Sequence, residues 1–175
     1  GDTTRCDVST HEERVAWSTS TLQTAVRDIE TNDYWIIHGY EDVATNCKIF
    51  GDNVAYQQIQ SVGHYNLANG IQGILGFTTW INDIFENDIL VNAVVNGVEG
   101  LHIYNLETGN TSIQIAGATQ QASFWGDVVV WSGPGIVGKN LTTGEDYVFD
   151  ANGEATPKIH KELVVWNRRD GGDKV

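Results

Sequence analysis

The residues of this chain able to do chemistry are two cysteines, five histidines, two asparagines in glycosylation sequons and a surplus of carboxylates. Cys6 and Cys47 each stand a short way ahead of an aromatic residue, Trp17 and Tyr56 respectively. Two such thiols form either a disulfide, in an oxidising compartment, or a pair of buried free thiols in a reducing one. The disulfide is the expectation carried forward. His11, His38, His64, His102 and His160 include no pair at a metal-binding spacing. Asn110-Thr111-Ser112 and Asn140-Leu141-Thr142 are sequons for N-linked sugar. Most carboxylates, such as Asp52, Glu86, Asp88 and Asp127, sit among turn-forming residues. There is no Gly-x-Ser-x-Gly, and the glycine-rich Ser132-Gly133-Pro134-Gly135 opens no helix that could cradle a phosphate. No catalytic residue, cofactor or metal ligand is expected.

Lys plus Arg is 10 against 23 Asp plus Glu, a net charge of −13. A phosphate backbone is bound by clustered cations that release its counterions, so this balance argues against nucleic acid as a partner. No apolar run reaches the roughly 18–20 residues of a membrane helix. At 41% apolar and 19% charged residues, the chain can build a core. With 19 Gly, 6 Trp, 6 Tyr and 5 Phe, and frequent Asn and Thr, its vocabulary is that of strands and turns. It contains no Met and begins Gly1-Asp2-Thr3, as a chain freed of its signal peptide or an internal piece of a longer protein would.

The elements that position these residues are revealed by an internal repeat. Thr10-His11-Glu12-Glu13-Arg14-Val15-Ala16-Trp17 is matched by blocks ending at Tyr56, Val91, Trp131 and Trp166, with 35 to 40 residues between successive ends. A second block follows the first four: Asp28-Ile29-Glu30-Thr31-Asn32, Asn66-Leu67-Ala68-Asn69-Gly70, Asn105-Leu106-Glu107-Thr108-Gly109 and Asn140-Leu141-Thr142-Thr143-Gly144. Two registers sharing one period imply a repeat architecture. Each unit parses into four short strands. Gly51-Asp52 and Gly126-Asp127 suit a tight hairpin turn, whereas Glu12-Glu13 and Lys161-Glu162 suit it poorly, so the turn type is expected to vary. Unbroken apolar strands such as Val128-Val129-Val130-Trp131 imply burial on both faces. Four-stranded sheets stacked around an axis satisfy that requirement, so the expected fold is an all-β propeller of about four and a half blades. The units run approximately 7–45, 46–79, 80–119 and 120–155, with a partial unit at 156–175.

Phe124-Trp125-Gly126-Asp127-Val128-Val129-Val130-Trp131 followed by Asn140-Leu141-Thr142-Thr143-Gly144-Glu145 resembles the TolB-like β-propeller repeats of large secreted or cell-surface proteins of archaea and bacteria. The likeness runs from about residue 8 to residue 170. Val91 departs from it where other units carry Trp or Tyr, and so does Asn32 where Gly is usual. The resemblance implies four-stranded blades in rings of roughly six to eight, serving as binding or scaffolding modules.

In this frame Trp17, Tyr56, Trp131 and Trp166 are blade-core markers. His11 and His160 share a register position with Phe50, Phe85 and Trp125, which favours packing between blades over chemistry. Cys6 and Cys47 precede the innermost strands of adjacent blades, close enough for a disulfide. Specificity is expected in loops at 38–46, 57–63, 92–100 and 132–138. The fifth unit stops after two strands, so the chain is expected to be a fragment or to be completed by another copy. The function expected is that of a non-catalytic, extracellular or cell-surface module. It would act in structure or protein interaction, with a protein partner or self-association and glycan as a further ligand, including as a subunit of a surface layer or filament. The alternatives are a carbohydrate-binding or carbohydrate-active propeller, with carboxylates around a central channel, and a periplasmic TolB-type scaffold.

Overall fold

The computed structural model describes residues 8–39, 45–59, 61–75, 80–117, 121–153 and 156–167, and its regular elements are all β-strands. The first blade is β1 (Val8–His11), β2 (Arg14–Ser18), β3 (Thr24–Asp28) and β4 (Tyr34–Ile37). The second is β5 (Thr45–Phe50), β6 (Asn53–Gln57), β7 (Val62–Asn66) and β8 (Gln72–Leu75). The third is β9 (Trp80–Phe85), β10 (Asp88–Val95), β11 (Val98–Asn105) and β12 (Thr111–Ala116). The fourth is β13 (Ala122–Trp125), β14 (Val128–Ser132), β15 (Ile136–Asn140) and β16 (Asp146–Asp150), and a hairpin of β17 (Lys158–His160) and β18 (Leu163–Val165) follows. Each sheet is an antiparallel meander in chain order.

The first repeated block is the hairpin from first to second strand, and its turn does not vary as expected. Glu12, Gly51, Glu86, Gly126 and Lys161 all take positive φ, between 51° and 56°. The left-handed conformation is forced by a two-residue connection between twisted strands, and Glu or Lys adopts it at some cost. Glu86→Gly is therefore expected to raise stability by about 0.5–1 kcal/mol. Urea unfolding checks this; an unchanged or lower midpoint would show that the turn is unstrained.

The second block is a side-chain-capped turn. The Oδ1 atoms of Asp28, Asn66, Asn105 and Asn140 each accept the backbone N–H groups two and three residues on, at 2.8–3.2 Å. The next residue, Ile29, Leu67, Leu106 or Leu141, donates its N–H to the carbonyl of Glu13, Asp52, Asn87 or Asp127, tying the two turns together. Asn32, the departure from Gly, has φ 65°, close to the 71–75° of Gly70, Gly109 and Gly144. Asn tolerates that conformation, so the turn survives the change.

The cores lie between the blades. Ala16, Val26 and Ile37 of the first blade meet Cys47, Ile49, Val54 and Tyr56 of the second. Ala55, Val62 and Leu75 meet Ile81, Ile84, Ile89 and Val91, and Leu90, Leu101 and Ile103 meet Ala122, Phe124 and Val129. Adjacent residues of one strand thus enter different cores, which explains the unbroken apolar runs. The described blades do not close a ring.

Two further expectations are corrected. Residues 92–100 are not a loop: β10 and β11 run through them and join at Asn96-Gly97, both at positive φ, which preserves the ladder with a two-residue turn. Cys47 does not precede the innermost strand but lies within β5, fully buried. Cys6 lies outside the described residues.

Candidate functional site

The first strands of successive blades touch one another, β1 with β5, β5 with β9, β9 with β13 and β13 with β17, so they form the inner wall. They line an open trough of about 900 Å³. Each of these strands ends in an aromatic ring at one register position. His11 lies 3.8 Å from Phe50, Phe50 4.9 Å from Phe85, Phe85 4.8 Å from Trp125 and Trp125 4.2 Å from His160, between ring centroids. Most rings meet tilted or edge-on, the arrangement their quadrupoles favour. The belt is half-buried, with His160 its exposed end. His11 Nδ1 accepts the Gly51 N–H at 3.0 Å, which leaves Nε2 as the protonated nitrogen of the neutral ring.

Two residues earlier on each strand, on the same side, stands a polar layer of Ser9, Lys48, Asp83, Ser123 and Lys158. Ser9, Asp83, Ser123 and Lys158 stitch the blades together. Ser9 Oγ accepts the Ile49 N–H at 3.2 Å and Ser123 Oγ accepts the Ile159 N–H at 3.3 Å. The Ser123 hydroxyl donates to Asp83, and Lys158 Nζ lies 3.7 Å from the same carboxylate. Lys48 Nζ donates to Asn46 Oδ1 at 3.2 Å. The belt was legible in the repeat register. The polar layer was missed, although its signal lay two positions upstream in the same register.

The remaining named residues serve the blades. Tyr56 is fully buried, and Trp131 is partly buried against the core between the third and fourth blades. Trp17 is half-buried, 6.1 Å from the Tyr34 ring, on the face of the first blade turned away from the second. Trp166 donates from Nε1 to Asp150 Oδ2 at 3.1 Å. Asn110 is exposed; Asn140 is half-buried, and Val128 opposite it offers no acceptor where Asn53 and Asp88 bind the equivalent amides of Asn66 and Asn105. Asp28 binds Arg14 at 3.3 Å, and Arg14 reaches Asp52 on the next blade at 2.7 Å. The Asp28 carboxyl is held below the ordinary range, chiefly by the Thr31 N–H, with burial opposing and Arg14 assisting. His38 Nδ1 pairs with Gln23 Nε2 at 3.1 Å. Among the described residues, no group of three or more His, Cys, Asp or Glu is placed to hold a metal.

His64 and His102 both face the interface between the second and third blades, opposite Ala55 and Val91 respectively in the strand register. Burial pushes His64 below its ordinary value. The unfolded chain then binds the proton that the folded one resists, so stability falls as pH drops below about 6.5. Urea midpoints between pH 5 and 8 are expected to decline on the acid side, and His64→Gln to flatten that slope. An equal slope in the variant would remove His64 as the cause.

No protein-family model and no curated protein sequence matches the chain. Solved structures do. The computationally designed Ika8 protein superimposes with TM-score 0.66 at 17% identity, over 94% of this chain and 55% of that one. TolB from Acinetobacter baumannii gives 0.66 at 12% identity, over 91% and 47%. A nidogen/laminin complex gives 0.67 at 8%, over 92% and 70%. This chain thus spans about half the length of the Ika8 and TolB chains it matches. Identities this low speak to fold alone, and with the four-stranded meanders stacked face to face they establish it: the chain folds as blades of a β-propeller.

Proposed function

We propose that this chain is a non-catalytic extracellular module that acts by protein association, with a second copy of itself as partner, as in a surface layer or filament. The observation that supports this most directly is the outer face of the first blade. Strand register puts Val8, Val15, Trp17, Ala25, Tyr34 and Ile36 on that one face, and Val8, Tyr34 and Ile36 are exposed. Trp17 and Val15 hold the register positions at which Tyr56 and Val54 dock the second blade onto the first. At the other end Leu163 and Val165 are exposed on β18. Two different apolar patches facing opposite ways favour a head-to-tail contact, which propagates when it does not close. The likeness to a structure solved as a nidogen/laminin complex supports protein association as the mode of action.

Light scattering after size exclusion tests the reading. Mass above the monomer is expected, rising with concentration and lost in Trp17→Asp. A monomer at every concentration would overturn self-assembly. A periplasmic scaffold, the reading that the TolB likeness favours, predicts such a monomer together with a different protein partner. Asn110 and Asn140 are proposed as glycan carriers, and intact-mass analysis of native material checks both.

A further inference from the structure

We infer that the central trough binds a small ring-bearing carboxylate of the sugar-acid class, a hexuronate. This does not depend on the self-assembly reading.

The chain has only five lysines, and three of them, Lys48, Lys158 and Lys161, line this one trough. Against them stand Glu12 and Asp83, so the lining carries a positive balance inside a protein of net charge −13. A concentration of ammonium groups that the overall composition disfavours is suited to an anion. The protein's wider negative field is screened beyond roughly 8 Å at physiological salt, so a small monoanion can enter.

The aromatic belt determines what the anion is attached to. Phe50 and Trp125 line the trough and are half-buried rather than sealed, offering apolar surface to a ring, with Phe85 packed against both. Two residues along a strand separate the belt from the polar layer that holds Lys48 and Lys158 by about 7 Å. A pyranose lying against the belt reaches that layer with its carboxylate. Asp83 distinguishes a sugar acid from an aromatic one. Its carboxylate accepts from Ser123 and faces Lys158, with further lone pairs to take ligand hydroxyls, which a plain aromatic acid lacks. The volume of about 900 Å³ lies within the range of small-molecule sites.

The experiment is a titration of the intact, isotope-labelled chain with D-glucuronate, followed by amide and indole NMR shifts. Glucose, benzoate and inorganic phosphate serve as comparators. Saturable shifts at Lys158–His160, Phe50 and the Trp125 indole are expected with glucuronate, at least about tenfold weaker with each comparator. Lys158→Met is expected to weaken glucuronate about tenfold or more. Lys158 is half exposed, so this variant should fold, and an unchanged urea midpoint confirms it. The inference is overturned if glucuronate gives no saturable shift at those residues, or if Lys158→Met binds it as the parent does. It is equally overturned if phosphate or benzoate binds as tightly, which would make the trough a general anion or aromatic-acid site.

Discussion

Tyr56→Ala is expected to lower the unfolding free energy by about 3–5 kcal/mol, as the loss of a large, fully buried aromatic does. The ring is completely inaccessible and sits in the core joining the first two blades with Ala16, Val26, Ile49 and Val54. Its fit is close: a Cβ at Gly63 on the neighbouring strand would lie 2.2 Å from the ring, so only glycine serves there. Neither strand can collapse inward without breaking the β6–β7 ladder, so a cavity remains. The hydroxyl receives the Gln72 side-chain N–H at 2.6 Å, and burial pushes its ionisation upward with that bond opposing. Tyr56→Phe removes only this bond and is expected to cost about 1 kcal/mol. Urea unfolding of both variants checks the pair. Equal losses would show that the polar end of the side chain, rather than its volume, holds the blades together.

Reduction is expected to have the second large effect. A Cys6–Cys47 bond would close a loop of roughly 40 residues, and chain entropy assigns such a loop about 4 kcal/mol. Cys47 lies on β5 in the core between the first two blades, where a covalent tie from the preceding residues would clamp the first hairpin against the second blade. The intact mass of native protein is expected to be two hydrogens lighter than after reduction. Both cysteines should resist alkylation in denaturant until a reductant is added. A sharply lower urea midpoint in reductant is expected in the parent and absent in Cys47→Ala. Alkylation of both thiols without reductant would eliminate the bond, and with it the oxidising compartment that such a bond would imply.

The period, the strand content and the stacking of blades were legible because they are encoded redundantly. An Asn or Asp caps the same turn four times, and an apolar residue after it ties that turn to the hairpin each time. The hairpin turns were misread because glycine preference is local, whereas their backbone is imposed by strand pairing. Glu12, Glu86 and Lys161 adopt the glycine conformation because the flanking strands leave no other connection. For the same reason residues 92–100, which vary from the other units and so read as a loop, extend the ladder of the third blade.

The sequence by itself determined the unit: its length, its four strands, its turns and the register that aligns His11, Phe50, Phe85, Trp125 and His160. Repetition makes these properties local, since each copy restates them within a few residues. Only the tertiary structure decided what those aligned positions become together. Stacking the blades converts one residue per unit into a continuous aromatic belt. Around one trough it gathers Lys48 and Lys158 with Asp83 and Ser123, two residues from the belt, and Lys161 directly after it. Apart from Lys158 and Lys161 those groups are 35 or more residues apart in the chain; the repeat register aligns Lys48, Asp83, Ser123 and Lys158, but their residue types and charges do not repeat from unit to unit. Their proximity follows from the rotation of one blade to the next, a geometric consequence of packing apolar sheets face to face.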